Sequence, residues 1–431
     1  MRKKNQLRQK SQKLLPNWHL NSEPHKVSFK KDVTILGAGL AGCTTASALA
    51  NIGCIVTVID RHEKPAQGGS GNRQAVIYPR LSHHITPLPQ INFKAIVNAS
   101  RFYKSFWRLG LGEQCGVMIL PTSTHNAQTQ RTTFQTFGQN NSFFKLINKQ
   151  DIKKISGLAL SSPNALYFPF LGWLPPVAVC KRLLEHPNIS LKKAVVKRIT
   201  YRPKLNTWSL FDFSENHLAE TPILVLANAF ECLNFTQTQF LPVKKVRGQV
   251  TEIPSTIASI KLRTVICGRG YFTPSINGTH SCGATYSTSE DQALCISDHK
   301  KNLEKLSSND PLLGGLTKRF SSAKLDGRAD FRCTTPDYLP IAGAVPNLKV
   351  MREAFAGLRE DAKSQIATNG TYLPNLYIHC GLGSRGLSYA PLCAQILAAE
   401  IARQPSPLEQ DLLLAMHPAR FIIRALKKKQ L

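Results

Sequence analysis

Residues 32–60 constrain the fold more than any other part of this 431-residue chain. Val33-Thr34-Ile35-Leu36 is a short apolar, β-branched run that reads as a strand, and Gly37-Ala38-Gly39-Leu40-Ala41-Gly42 follows it directly. The alanine-rich stretch Leu40 to Asn51 then predicts a helix stopped near Gly53, and Cys54 to Asp60 predicts a second strand. Strand, G-x-G-x-x-G, helix, strand and terminal acid together make a βαβ unit suited to a dinucleotide. Gly37 permits the tight turn, Gly39 lets a pyrophosphate approach the main chain, and Gly42 lets helix and strand pack closely. Asp60 lies 23 residues after Gly37, where a carboxylate can accept hydrogen bonds from ribose hydroxyls. This fingerprint alone does not choose between FAD and NAD.

A second glycine cluster narrows the choice. Gly381-Leu382-Gly383-Ser384-Arg385-Gly386 follows a predicted strand, Leu376 to His379, and opens a helix running to about Arg403. The positive end of such a helix suits the pyrimidine edge of a flavin, where negative charge develops on reduction. A glycine fingerprint near each end of the chain fits one FAD spanning a folded-back domain better than a simple NAD enzyme. Between them the pattern predicts a helix over Phe93 to Leu109 and another within Trp173 to Glu185. Strands are expected at Val195-Val196, Trp208 to Phe213, Ile223 to Leu226, Tyr271 to Pro274 and Ser281 to Thr285.

Composition bounds the rest. No apolar run is long enough for a membrane span. Eleven scattered cysteines form no C-x-x-C pair and no metal-ligand spacing, so reduced thiols in a cytoplasm are expected and a metal is not. Lys and Arg exceed Asp and Glu by 29, an excess that suits a polyanionic partner but does not by itself require one.

Further stretches carry a family likeness: Gly68-Gly69-Ser70-Gly71-Asn72-Arg73-Gln74 with Tyr78-Pro79, then Gly381 to Gly386 with Ser388-Tyr389-Ala390-Pro391-Leu392-Cys393, and Met416-His417-Pro418-Ala419-Arg420. Here the chain resembles the FAD-dependent amino-acid oxidases, which include glycine, sarcosine and D-amino-acid oxidases. From about Asp32 onward it looks most like the C-terminal oxidoreductase domain of the bifunctional tRNA 5-methylaminomethyl-2-thiouridine biosynthesis family. The resemblance implies an α/β fold, a Rossmann-type FAD-binding domain with an inserted antiparallel-sheet (α+β) substrate domain. It implies a discontinuous FAD domain (32–79, 164–231 and 333–417) and a substrate domain (80–163 and 232–332), between a basic flexible leader (1–31) and a basic tail (418–431).

It also implies a reaction. The substrate would be the 5-carboxymethylaminomethyl group of a wobble uridine in the tRNA anticodon, an N-substituted glycine. Oxidation of its secondary amine and hydrolysis of the imine would give aminomethyl-uridine and glyoxylate. The family's methyltransferase half, which uses S-adenosylmethionine, has no room before Asp32, so that activity is expected to be absent here or supplied by a separate polypeptide. FAD, expected to be held without a covalent bond, would be contacted by Gly37, Gly39, Gly42, Asp60, Ser70, Gly71, Asn72, Arg73, Gln74, Val196, Ala227, Gly381, Gly383, Ser384, Arg385 and Gly386. Arg332 is the expected anchor for the substrate carboxylate, with Tyr271 and Arg247 as weaker pocket candidates. No catalytic acid or base is assigned, because hydride transfer to a flavin needs mainly a well-placed neutral amine. The rival readings are an oxidase of free glycine, sarcosine or D-amino acids, and a flavin- or RNA-binding protein without turnover. The basic leader (Arg2, Lys3, Lys4, Arg8, Lys10, Lys13) and Lys427 to Lys429 are candidate phosphate contacts.

Overall fold

The structure is a computed structural model that describes residues 16–20, 32–138 and 142–431. The basic leader residues named above lie outside the described residues. The strand Asp32–Leu36 buries every residue after the first, the pattern of a strand covered on both faces. It pairs in parallel with Ile55–Asp60 on one side and with Ile223–Leu226 on the other. Ile189–Lys193 and Tyr372–Cys380 extend the parallel array outward, and Ile341–Pro346 closes one edge antiparallel. The helices Leu40–Ala50 and Gly386–Ile401 pack against each other beside this sheet, with nearly all their residues buried. An alanine-rich helix allows that close contact, because small side chains let the two backbones approach.

A second sheet has eight strands in the order Asp326–Thr334, Lys244–Pro254, Thr279–Gly283, Tyr271–Phe272, Val265–Cys267, Val117–Ile119, Asn164–Phe168, Lys145–Asn148. All its pairings are antiparallel except that of Val265–Cys267 with Val117–Ile119. The helices Ile296–Asn309 and Pro311–Thr317 bury Leu306 and Leu313 in one cluster with Phe272 and Ile266 of this sheet. A three-stranded antiparallel sheet (Arg198–Arg202, Thr207–Phe211, His217–Thr221) sends Trp208 into the core beside Ile59 and Leu224. Among the described residues no helix is long and apolar enough to cross a membrane. None of the eleven cysteines forms a disulfide, and no group of three or more metal-ligating side chains occurs among the described residues.

Three local expectations are corrected. Asn164–Phe168, grouped by sequence with the nucleotide-binding piece, pairs with Val117–Ile119 and Lys145–Asn148 in the eight-stranded sheet. Val195-Val196 is a link between Ile189–Lys193 and Arg198–Arg202 rather than a strand, so its main chain is left open toward the cleft described below. The end of the chain is not a tail. Arg420–Lys427 is a helix whose Ile422, Ile423 and Leu426 pack with Trp18, Met351, Phe355 and Leu358. Its apolar stripe is short, and the lysines after it mask the pattern.

An ion pair holds this terminal helix. Arg420 is only 2% exposed and donates from Nε to Asp337 Oδ2 at 3.0 Å, while Nη2 reaches Oδ1 at 3.2 Å. Arg424 also donates to Asp337. Burial works to raise the Asp337 carboxyl, but the two arginines hold it at about 2, well below the usual carboxylate range. With a folded value below the unfolded one, this pair stabilises fully above pH ~4, and the contribution is lost as pH falls through about 2. Asp337→Asn leaves Arg420 buried without its counter-charge and is expected to cost about 3–5 kcal/mol at neutral pH. Urea unfolding should show that cost shrinking below pH ~4; a constant difference would refute this assignment.

Candidate active site

The carboxyl ends of the parallel strands meet the flank of the second sheet in one cleft of about 1200 Å³, larger than the roughly 300–1,000 Å³ of a drug-sized pocket. Leu36-Gly37, Ile59-Asp60, Ala227 and Cys380-Gly381 line it from the first sheet, and Val246, Val250, Tyr271, Gly283 and Arg332 from the second. Ligands of open α/β sheets bind at this edge, where the strands leave backbone groups and loops free to converge.

The nucleotide half follows from the glycines. Gly37 has φ +106°, and a Cβ there would stand 2.6 Å from the Ala227 carbonyl oxygen. A Cβ on Gly42 would stand 1.8 Å from the Gly37 oxygen, so helix and turn close only without side chains. Asp60 Oδ2 accepts from the Ala38 amide at 2.7 Å and Oδ1 from the His62 amide at 2.8 Å. The carboxylate therefore fixes the glycine turn while lining the cleft, and each oxygen keeps a lone pair for a hydroxyl. Ser70 Oγ accepts from the Leu40 amide at 3.1 Å, at the start of the first helix. Gly39, Ser70, Asn72, Val196 and Ala227 all line the cleft.

Three residues of the Gly68–Gln74 loop do not. Arg73 pairs with Glu252 at 2.8 Å. Buried Gln74 donates to the Pro274 carbonyl at 3.1 Å and accepts from Thr273 Oγ1 at 2.8 Å. Gly71 lies against the Arg328 guanidinium, with no room for a Cβ. These positions join the loop to the second sheet.

Gly381, Gly383, Ser384, Arg385 and Gly386 all line the other part of the cleft, at the start of the sixteen-residue helix Gly386–Ile401. Arg385 Nη1 donates to Tyr389 Oη at 2.9 Å, and Tyr389 in turn donates to Asn92. His379 and Asn228 also line the cleft, and His379 Nε2 and Asn228 Oδ1 are buried without a partner. Burial pushes the His379 imidazole down to about 3, so it is neutral at working pH, with Nδ1 engaged by Thr45 Oγ1 at 2.8 Å. Unpartnered buried polar atoms are costly unless a ligand completes them. The glycine cradle and the cleft's size fit FAD.

The three substrate candidates separate. Arg332 lines the cleft, forms no ion pair among the described residues, donates from Nη1 to the Thr285 carbonyl at 3.1 Å, and stands 4.6 Å from the Tyr286 ring centroid. Its guanidinium crosses the neighbouring strand directly over Gly248, where a Cβ would clash at 1.5 Å. Tyr271 lines the same region, its phenol pushed up by burial and therefore neutral. Arg247 does not line the cleft. It is 3% exposed, pairs with Asp298 at 2.5 Å and donates to the carbonyls of Asp291 and Ala293, so it fastens the helix Ile296–Asn309 to the sheet.

Sequence reasoning missed Arg80, Phe213, Tyr286, Tyr338, His379 and Asn228, all of which line the cleft. Phe213, Tyr286, His379 and Asn228 end or follow predicted strands, so their signal was position at a strand's carboxyl end; Arg80 and Tyr338 follow no predicted element.

A Rossmann-type sheet whose open edge faces a second sheet, with a cleft-lining arginine that forms no ion pair among the described residues, fits a flavin-dependent oxidoreductase. Residues 32–400 match the family described as FAD dependent oxidoreductase (DAO); the chain belongs to it, and FAD is its cofactor. The tRNA 5-methylaminomethyl-2-thiouridine biosynthesis bifunctional protein MnmC of Pseudomonas syringae pv. syringae (strain B728a) is 37% identical over 94% of this chain. MnmC of Chromobacterium violaceum is 35% identical over 96% of it. The chain spans 61% and 62% of the length of these two relatives. Glycine oxidase from Geobacillus kaustophilus shares the fold at TM-score 0.71 and 16% identity, covering 91% of this chain and 99% of that one. L-proline dehydrogenase from P. horikoshii does so at TM-score 0.69 and 17% identity, covering 92% and 98%.

Gly37→Ala is expected to give protein purified without bound flavin, read as the ratio of flavin to protein absorbance. The substitution pushes the turn off Ala227 and away from the phosphates. Full flavin content in this variant would show that the turn does not hold the cofactor.

Proposed function

We propose that this protein oxidises the secondary amine of 5-carboxymethylaminomethyl-uridine at the wobble position of tRNA. The observation that carries the reading is Arg332, a cleft-lining guanidinium without a carboxylate partner among the described residues. An N-substituted glycine brings the missing carboxylate, and a planar guanidinium donates two parallel hydrogen bonds to it. That anchor sets the adjoining CH₂–NH bond in the cleft beside Tyr271. Two electrons and two protons leave this bond to form an imine, and water splits the imine into aminomethyl-uridine and glyoxylate. Bound FAD supplies the two-electron acceptor. The MnmC relatives, named for tRNA 5-methylaminomethyl-2-thiouridine biosynthesis, support tRNA as the substrate.

Charge supports the same partner. Arg61, Arg80, Lys197, Lys244, Arg269, Arg332 and Arg385 line the cleft against only Asp60 and Glu231 as carboxylates. A net charge of +29 suits a polyanion and is more than free glycine requires. Free thiols throughout support a reducing compartment, the cytoplasm. The phosphate contacts are assigned to the basic leader and to Lys427 to Lys429, at the end of the terminal helix.

The test is anaerobic bleaching of the flavin by tRNA carrying the carboxymethylaminomethyl group, with free glycine and sarcosine as comparisons. Fast bleaching by the tRNA alone is expected; bleaching by the free amines alone would make this an ordinary amino-acid oxidase. Arg332→Met is expected to lower kcat/KM for the tRNA by roughly 100-fold or more, with the larger share in KM. Arg332→Lys should recover only part of it, since a point charge does not reproduce the fork. An unchanged KM in Arg332→Met would remove the anchor.

A further inference from the structure

Two tyrosine rings at the cleft are not used by the reaction just described. Tyr286 is 62% exposed and Tyr338 is 59% exposed, although both line the cavity. Neither is loose. Tyr286 Oη shares a hydrogen bond of 2.9 Å with Ser384 Oγ, which belongs to the glycine turn at the start of Gly386–Ile401. The Arg332 guanidinium lies 4.6 Å from the Tyr286 ring centroid, so this ring adjoins the carboxylate anchor itself.

Tyr338 is held at greater cost. Its φ of 60° is left-handed backbone, which a bulky side chain rarely adopts. The strain is maintained by its neighbours: its amide donates to the Thr335 carbonyl at 3.2 Å, and its carbonyl lies 3.4 Å from Tyr389 Oη. Asp337, the preceding residue, is clamped by Arg420 and Arg424. Arg80, another cleft-lining residue, stands 5.6 Å from the Tyr338 ring centroid. This chain therefore holds a strained tyrosine whose ring buries little in its own core. Strain kept at a ligand cleft is a pointer to binding.

We infer that Tyr338 and Tyr286 are the seat of the nucleobase: the wobble base, turned out of the anticodon stack, rests against these rings while its substituent reaches Arg332. The inference rests on the tRNA reading above and supplies its base contacts. Only a few bonds separate the substrate carboxylate from the uracil ring, so a base whose carboxylate is bound by Arg332 must lie close to Tyr286. A base removed from its stack loses its neighbours' faces, and aromatic side chains restore that contact without regard to base identity. Arg80, beside Tyr338, is placed to meet a phosphate of the same nucleotide or its neighbour. Glycine and sarcosine carry no ring and gain nothing from such a seat.

The test compares Tyr338→Asn, Tyr338→Phe and Tyr286→Leu with the wild-type holoenzyme. Asparagine tolerates left-handed backbone, so Tyr338→Asn removes the ring without adding strain, and flavin content and thermal midpoint check that each variant is folded. The readout is anaerobic flavin reduction against the concentration of modified tRNA, with the anticodon stem-loop alone as a second substrate. Tyr338→Asn and Tyr286→Leu are each expected to raise KM for both RNAs by about tenfold or more with a smaller change in kcat, and Tyr338→Phe to stay near wild type. If wild type turns over the tRNA while both ring-less variants keep its KM, the seat is wrong and the tRNA reading stands. If Tyr338→Phe loses as much as Tyr338→Asn, stacking is not the interaction, which also overturns the proposal. No reduction of wild type by the modified tRNA would remove the tRNA reading, and the seat with it.

Discussion

At Gly37 one backbone lies against another: the turn after the first strand touches the Ala227 carbonyl at a distance that leaves no space for a side chain. This contact fixes how far the first helix stands from the sheet, and so where its amino end points. Asp60 then ties the turn from the other side through the Ala38 amide, and Ser70 does so through Leu40. Three separate parts of the sequence thereby determine one loop. Hydrogen bonds that are individually modest become effective here because they act on a turn already confined by packing.

The cleft needs two sheets in a constant relation, and a small set of polar side chains maintains it. Arg328 of the second sheet donates to the carbonyls of Gln67 and Gly68 at 2.9 and 2.8 Å. Arg73 and Gln74 fasten the same loop to Glu252, Thr273 and Pro274. The Ser70–Gln74 motif is thus divided: Ser70 and Asn72 face the cleft, and the residues between and after them brace it. A brace of this kind keeps Arg332 at a set distance from the flavin side, and catalysis by positioning depends on such distances.

Legibility of the fold followed the range of the forces involved. The strand–turn–helix–strand over residues 32–60 and the helix after Gly381 were readable because local spacing decides them. The placement of Asn164–Phe168 was not, since pairing with Val117–Ile119 joins segments far apart in sequence, and nothing in its own residues names the partner. The helix Arg420–Lys427 was missed because its stripe completes only two turns and its stability comes from Asp337 and the Trp18 cluster, which lie elsewhere in the chain. The glycines of the site were legible as glycines, whereas Tyr286 and Tyr338 looked like any surface tyrosine until the cleft placed them.

The contrast between Arg332 and Arg247 shows why residue type alone does not locate a site. Both lie on adjoining antiparallel strands, where Val246 is opposite Arg332 and Arg247 is opposite Phe331. Side chains alternate along a strand, so a single step of register decides which face a residue serves. Val246 and Val250 line the cleft, and Gly248 between them makes room for the Arg332 guanidinium. Arg247, Gln249 and Thr251 point the other way, to Asp298, the Cys295 carbonyl and His299 on or beside the helix Ile296–Asn309. One arginine is therefore neutralised by Asp298, and the other lines the cleft with no ion pair among the described residues. The register of Lys244–Pro254 against Asp326–Thr334, rather than any motif, brings the Arg332 guanidinium to the cleft.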